Sequence, residues 1–82
     1  MPTKPFNRPI AVSLHAGEKR EITSVEQAAD LLMSTDWSGE RDEWHRDAVD
    51  ACLKVIEGNR SSQDAEKAFR QAAHKAGILT DD

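Results

Sequence analysis

The residues of this chain whose types could do chemistry are three histidines, one cysteine, a crowd of carboxylates and two tryptophans. His15, His45 and His74 fall on three different predicted elements. A metal site would need them to converge with a carboxylate or with Cys52, and the only close ligand spacing is Glu43 and Asp47 around His45. The expectation is three solvated histidines and no bound metal. Glu40, Asp42, Glu43, Asp47 and Asp50 crowd one predicted helix, with Glu43 and Asp47 one turn apart. Paired acids serve general acid–base catalysis, but nothing apolar or Gly-rich frames these. A solvated helix face is expected instead. No Gly-rich phosphate loop, nucleophile elbow or Cys/His pairing occurs in the sequence. The chain therefore reads as a non-enzyme without a cofactor.

Two groups suit binding rather than catalysis. Lys67, Arg70, Gln71, His74 and Lys75 lie off the apolar face of the last predicted helix. With the short connection from Gly58 to Ser61, the last two helices mimic a helix-turn-helix, which makes this basic face a nucleic-acid candidate. Trp37 follows Asp36 in a predicted loop, where it either plugs a helix junction or, if exposed, forms a hot spot for a protein partner. Trp44 fits the buried stripe of its helix and is expected in the core.

These groups need elements to hold them, and 82 residues allow one small domain. Size scaling gives roughly 4,900 Å² of folded surface against about 13,000 Å² for the extended chain, so the core is thin. Hydrophobic residues make up 38% and charged residues 32%, which suits a water-facing domain. No window approaches a membrane span, and the first residues lack an apolar signal core. A cytoplasmic protein is expected. The lone Cys52 excludes an internal disulfide and falls on an apolar face, as a buried structural thiol would.

The net charge of −4 is unevenly spread: +2 over residues 1–22, −6 over 23–57 and zero over 58–82. An acidic middle makes nucleic acid and anionic membrane poor default partners, because both require a basic footprint.

Along the chain, residues 1–9 hold all three prolines and read as an extended, flexible lead-in. Residues 10–79 read as the domain and 80–82 as a short acidic tail. Ile10-Ala11-Val12-Ser13-Leu14 alternates like a half-buried strand, His15 to Glu18 reads as a turn with Gly17, and Lys19 to Ile22 returns. Ser24 with Gln27, or Thr23 with Glu26, forms a capping box for a first helix with Val25, Ala28, Ala29 and Leu32 buried, flanked by Leu31 and Met33. A second helix over about 41–57 buries Trp44, Ala48, Val49, Cys52, Val55 and Ile56, widened by Ala51 and Leu53. Gly58-Asn59 ends it. Ser61 or Ser62 caps the third, whose stripe of Ala65, Ala68, Phe69, Ala72, Ala73 and Ala76 is small enough for close helix approach. Gly77 supplies the left-handed stop and Ile78 folds back on the last turn.

The fold so predicted is α+β, an N-terminal β-hairpin packed on three α-helices in the order ββααα. The open edges of the hairpin invite a second copy or an extended peptide, so a homodimer through that edge is one expectation.

Several segments together resemble a small bacterial family described as domain of unknown function 982. They are Pro9-Ile10-Ala11-Val12, Ser24-Val25-Glu26-Gln27-Ala28, Trp37, Ala51-Cys52, Gly58 and the run from Ala65 to Ile78. The resemblance covers residues 6–79. It implies an alphaproteobacterial source and a length like that of its relatives, and the family has no assigned activity. The chain departs from the family pattern at Lys67, where Arg is frequent before the Phe; the charge is kept and the bidentate fork is lost. The shared positions are mainly packing and capping positions, so the resemblance implies a fold and no functional residues. The reading that follows is an interaction or regulatory module with a protein partner. The alternative is a nucleic-acid-associated regulator using Lys67, Arg70, Gln71 and Lys75, with an enzyme or metal-binding protein third.

Overall fold

The computed structural model describes residues 5–14, 18–34, 37 and 42–80. The expected turn with His15 and Gly17, the loop around Trp37 including Glu40 and Arg41, and both chain ends lie outside the described residues. Within them run β1 (Pro5–Ser13), β2 (Lys19–Ser24), α1 (Val25–Met33), α2 (Glu43–Ile56) and α3 (Ser62–Ala76), the predicted ββααα order.

The alternation in β1 puts Ile10, Val12 and Leu14 inside. Antiparallel pairing sets Ile10 opposite Ile22 and Ser13 opposite Lys19. The strand starts at Pro5, earlier than the prolines suggest, so residues 5–9 are not free lead-in. The register slips between Pro5 and Ile10, a stretch that contains Pro9. Proline cannot donate to a ladder and is accommodated at irregularities of this kind. Phe6, carried by this stretch, is buried beside Phe69 at 6.3 Å between ring centroids.

The segment after α3 adds a feature that the hairpin alone lacks. Leu79 bridges Val12 in antiparallel fashion. Ser13 N–H donates to Ile78 O at 2.7 Å, and Thr80 N–H donates to Ala11 O at 3.0 Å. The outer edge of β1 is thereby covered by the chain itself, and Thr80 is part of the pairing rather than a loose tail. The other edge, β2, exposes Lys19, Arg20, Glu21 and Thr23, a charged profile that discourages strand addition.

The helices form where their caps and stripes agree. Ser24 Oγ accepts from Gln27 N–H at 3.2 Å, while Gln27 Oε1 accepts from Thr23 N–H at 2.8 Å. The Ser24 cap therefore prevails over the Thr23–Glu26 alternative. Asp42 caps α2, accepting from Trp44 and His45 N–H at 3.1 Å each. Ser61, not Ser62, caps α3. Gly77 sits at φ 76°, with Ile78 N–H on Ala73 O at 3.0 Å, the predicted left-handed stop.

The core comes from every element. Phe69 is fully buried, and Ala65, Ala68, Ala72 and Ala73 let α3 lie close on α2. The Cα radius of gyration is 11.4 Å, against about 11.7 Å expected for a compact chain of this length. On α2 the buried face is His45, Ala48, Ala51, Cys52 and Val55. It is turned toward Ala51 and away from Ile56 and Leu53, which are exposed although sequence periodicity places them inside.

Candidate interaction surface

Of the two places open to Trp37, the structure takes the helix junction, whereas Trp44 departs from its expected place in the core. Trp37, singled out as a partner contact, is only 5% exposed. Its indole lies 6.1 Å from the Phe69 ring and 5.5 Å from the His45 ring. It fills the junction between α1 and α2, where its large apolar area is worth more than at the surface. Trp37 is thus unavailable as a surface hot spot. Its Nε1 is buried and has no hydrogen-bond partner among the described residues.

Trp44, expected in the core, is half-buried and lies at the rim. The cause is the rotation of α2. With His45 turned inward, Trp44 moves to the side facing the C-terminal half of α3. There the Lys75 ammonium sits over its ring at 5.1 Å from the centroid, a cation–π contact. Sequence periodicity could not find this pair, because the residues are 31 positions apart on different helices.

The basic residues of α3 are where they were expected. Lys67, Gln71, His74 and Lys75 are exposed and Arg70 is half-buried. The structure divides them between two clefts. Trp44, Arg70, Gln71, His74, Lys75 and Leu79 line one of ≈ 390 Å³. Lys67 and Arg70 line a second with Gln63, Asp64 and Glu66, where charges of both signs alternate. A third cleft, of ≈ 490 Å³ and lined by Glu43, Trp44, Arg46 and Asp47, adjoins Trp44 from the acidic side.

Two of the α2 carboxylates have local partners. Asp42 is a cap, and Asp50 pairs with Lys54 at 3.2 Å on the exposed face. Among the described residues no three His, Cys, Asp or Glu side chains are grouped to hold a metal ion. His15 lies outside the described residues. His74 is exposed as predicted, but His45 is not solvated: it is 6% exposed, and its Nε2–H donates to Leu32 O. Burial, and secondarily the charge of Glu26, pushes the Cys52 thiol up to about 12, so this cysteine is held as a neutral core group.

The cleft beside Lys75 joins an aromatic wall and an aliphatic side chain to two cations, an imidazole and an amide, on the rigid C-terminal half of a helix.

Residues 8–80 match the model of a family described as protein of unknown function, DUF982. The fold is similar to the NMR structure of Agrobacterium tumefaciens protein Atu1219, a structural genomics target. The TM-score is 0.78 at 28% identity, covering 95% of this chain and 77% of that one. No curated protein matches the chain. No described helix is long and apolar enough to cross a membrane.

Proposed function

This chain belongs to the DUF982 family, whose function is unknown, and we propose that it is a non-enzymatic protein-interaction or regulatory module that binds its partner through the cleft between Trp44 and α3. The observation that supports this most is the Trp44–Lys75 pair at the mouth of that cleft. Tryptophan and arginine are the residue types enriched among interface anchors, and Trp44 and Arg70 line this cleft together. The cytoplasm is the compartment proposed, in keeping with the free Cys52.

A dimer through the hairpin is a lesser form of the same reading. It would have to use the charged β2 edge, because residues 78–80 occupy the edge of β1.

Nucleic-acid binding through Lys67, Arg70, Gln71 and Lys75 is the second reading, favoured by their solvent-accessible placement on α3. Asp64 and Glu66 within the same surface weaken it, because a phosphate backbone is bound by a continuous basic track.

Affinity capture from a source-cell lysate, with and without nuclease, separates the two. A stoichiometric protein retained by the wild type after nuclease and lost with Trp44→Ala is the expected result. Partners that vanish on nuclease treatment would overturn the protein-interaction reading in favour of nucleic acid.

A further inference from the structure

Trp44 lines two clefts of unlike charge. On one side stand Glu43, Arg46 and Asp47; on the other stand Arg70, Gln71, His74, Lys75 and Leu79. We propose that the second cleft docks an acidic peptide segment of a partner protein, in which a carboxylate side chain lies next to an aliphatic or aromatic one. This rests on the interaction reading above and adds the chemistry of the partner.

The cleft has an apolar part and a cationic part. The apolar part is the Trp44 ring together with Leu79. The backbone of Leu79 is pinned by its bridge to Val12, and the next residue, Thr80, is hydrogen-bonded to Ala11, so this part is built on paired strand rather than on a free end. The cationic part is the Arg70 guanidinium and the Lys75 ammonium, with the Gln71 amide and the His74 imidazole alongside. The last-turn carbonyls of Ala73 and His74 accept from the N–H groups of Ile78 and Gly77, so they do not themselves present acceptors to an incoming carboxylate.

Lys75 already has a resting place on the cleft wall. Its ammonium rests over the indole, which leaves N–H directions for an anion and reduces the rotamer entropy lost on binding. An apolar side chain of the ligand then packs on the ring edge and Leu79 while its neighbouring carboxylate meets the Lys75 ammonium. Charge-assisted hydrogen bonds of this kind are the stronger ones.

The extent of the positive charge selects the class of anion. The cleft is ≈ 390 Å³, within the range of about 300–1,000 Å³ typical of ligand sites. Beyond Trp44 lie Glu43 and Asp47, and toward the start of α3 lie Asp64 and Glu66. A nucleic-acid strand carries a phosphate about every 3.4 Å and runs past the cleft onto those acids. A short acidic peptide ends within it.

The test is an NMR titration of the isotope-labelled full chain. The probe is a pool of capped tetrapeptides, each with two of Asp or Glu and two of Leu, Ile or Phe. The control pool carries Asn and Gln instead of the acids. Saturable shifts at the Trp44 indole N–H and at the amides of Arg70, Gln71, Lys75 and Leu79 are expected, at least about tenfold weaker for the control pool. Lys75→Glu, folded by circular dichroism, is expected to abolish them. Equal binding of both pools, no shifts with either, or tighter binding of a short DNA duplex at physiological salt each overturns the assignment. If the peptides fail while Trp44→Ala still loses a captured protein, the acidic-peptide assignment falls and the interaction reading stands. If capture is also unaffected by Trp44→Ala, both fall.

Discussion

His45 Nε2–H donates to the carbonyl oxygen of Leu32 at 2.5 Å, tying the first turn of α2 to the last turn of α1. Leu32 lies where a helix runs out of intrahelical N–H donors, so a side chain from the next helix supplies one. The geometry also identifies the protonated nitrogen, since a carbonyl oxygen can only accept. His45→Ala should therefore destabilise the domain by about 2–3 kcal/mol, from a lost buried hydrogen bond and the space left under Trp37. Urea denaturation of the variant measures it; a midpoint equal to that of the wild type would show that the contact contributes nothing.

Trp37 and Trp44 should respond oppositely to truncation. Trp37→Ala removes a buried indole next to Phe69 and should cost about 3–5 kcal/mol, most of what a domain of this size holds. Trp37→Phe should be far milder, because it also removes the buried Nε1–H that finds no partner among the described residues. Trp44→Ala should leave most of the stability in place. Thermal melts of the three variants, followed by circular dichroism, decide the point.

Gly77 stands at φ 76° with open space where a Cβ would project. A Cβ there meets nothing within 4 Å, so the main cost of a substitution is the positive φ. Gly77→Val should lose about 1–2 kcal/mol, which for a domain of this size is a melting shift of roughly 4–16 °C. A melt at the wild-type temperature would mean that the helix end relaxes to another conformation.

Cys52 makes alkaline stability a readout of burial. Its thiol ionises near 12 in the folded chain against 9.0 when unperturbed. Between those values the unfolded chain has lost a proton that the folded chain keeps. The contribution is fully present below pH 9 and is lost as pH rises toward 12, at about 1.4 kcal/mol per unit. Urea melts at neutral pH and at about pH 10.5 should show a steeper loss for the wild type than for Cys52→Ala. Parallel losses would show that the thiol is reached by solvent.

Much of this molecule was determined by short-range sequence. The stripes of α1 and α3, the Ser24 cap, the stop at Gly77 and the inward alternation of Ile10, Val12 and Leu14 each depend on residues within a few positions of one another. Those are the distances over which helix period, capping and strand alternation act. The family followed from the same positions. The placement of the candidate cleft was not legible in this way. Periodicity put both Trp44 and Ile56 on the buried face of α2, and only packing against α1 and α3 decided that His45 turns inward while Trp44 moves to the rim and Ile56 to the surface. That rotation buries Trp37 over Phe69, brings Trp44 to the rim under Lys75, and so makes a binding surface from residues on separate helices. The pairing of Leu79 with Val12 likewise joins β1 to the segment after α3. Burial of apolar area depends on which elements meet, and contacts across many tens of residues leave no local period for a sequence to display.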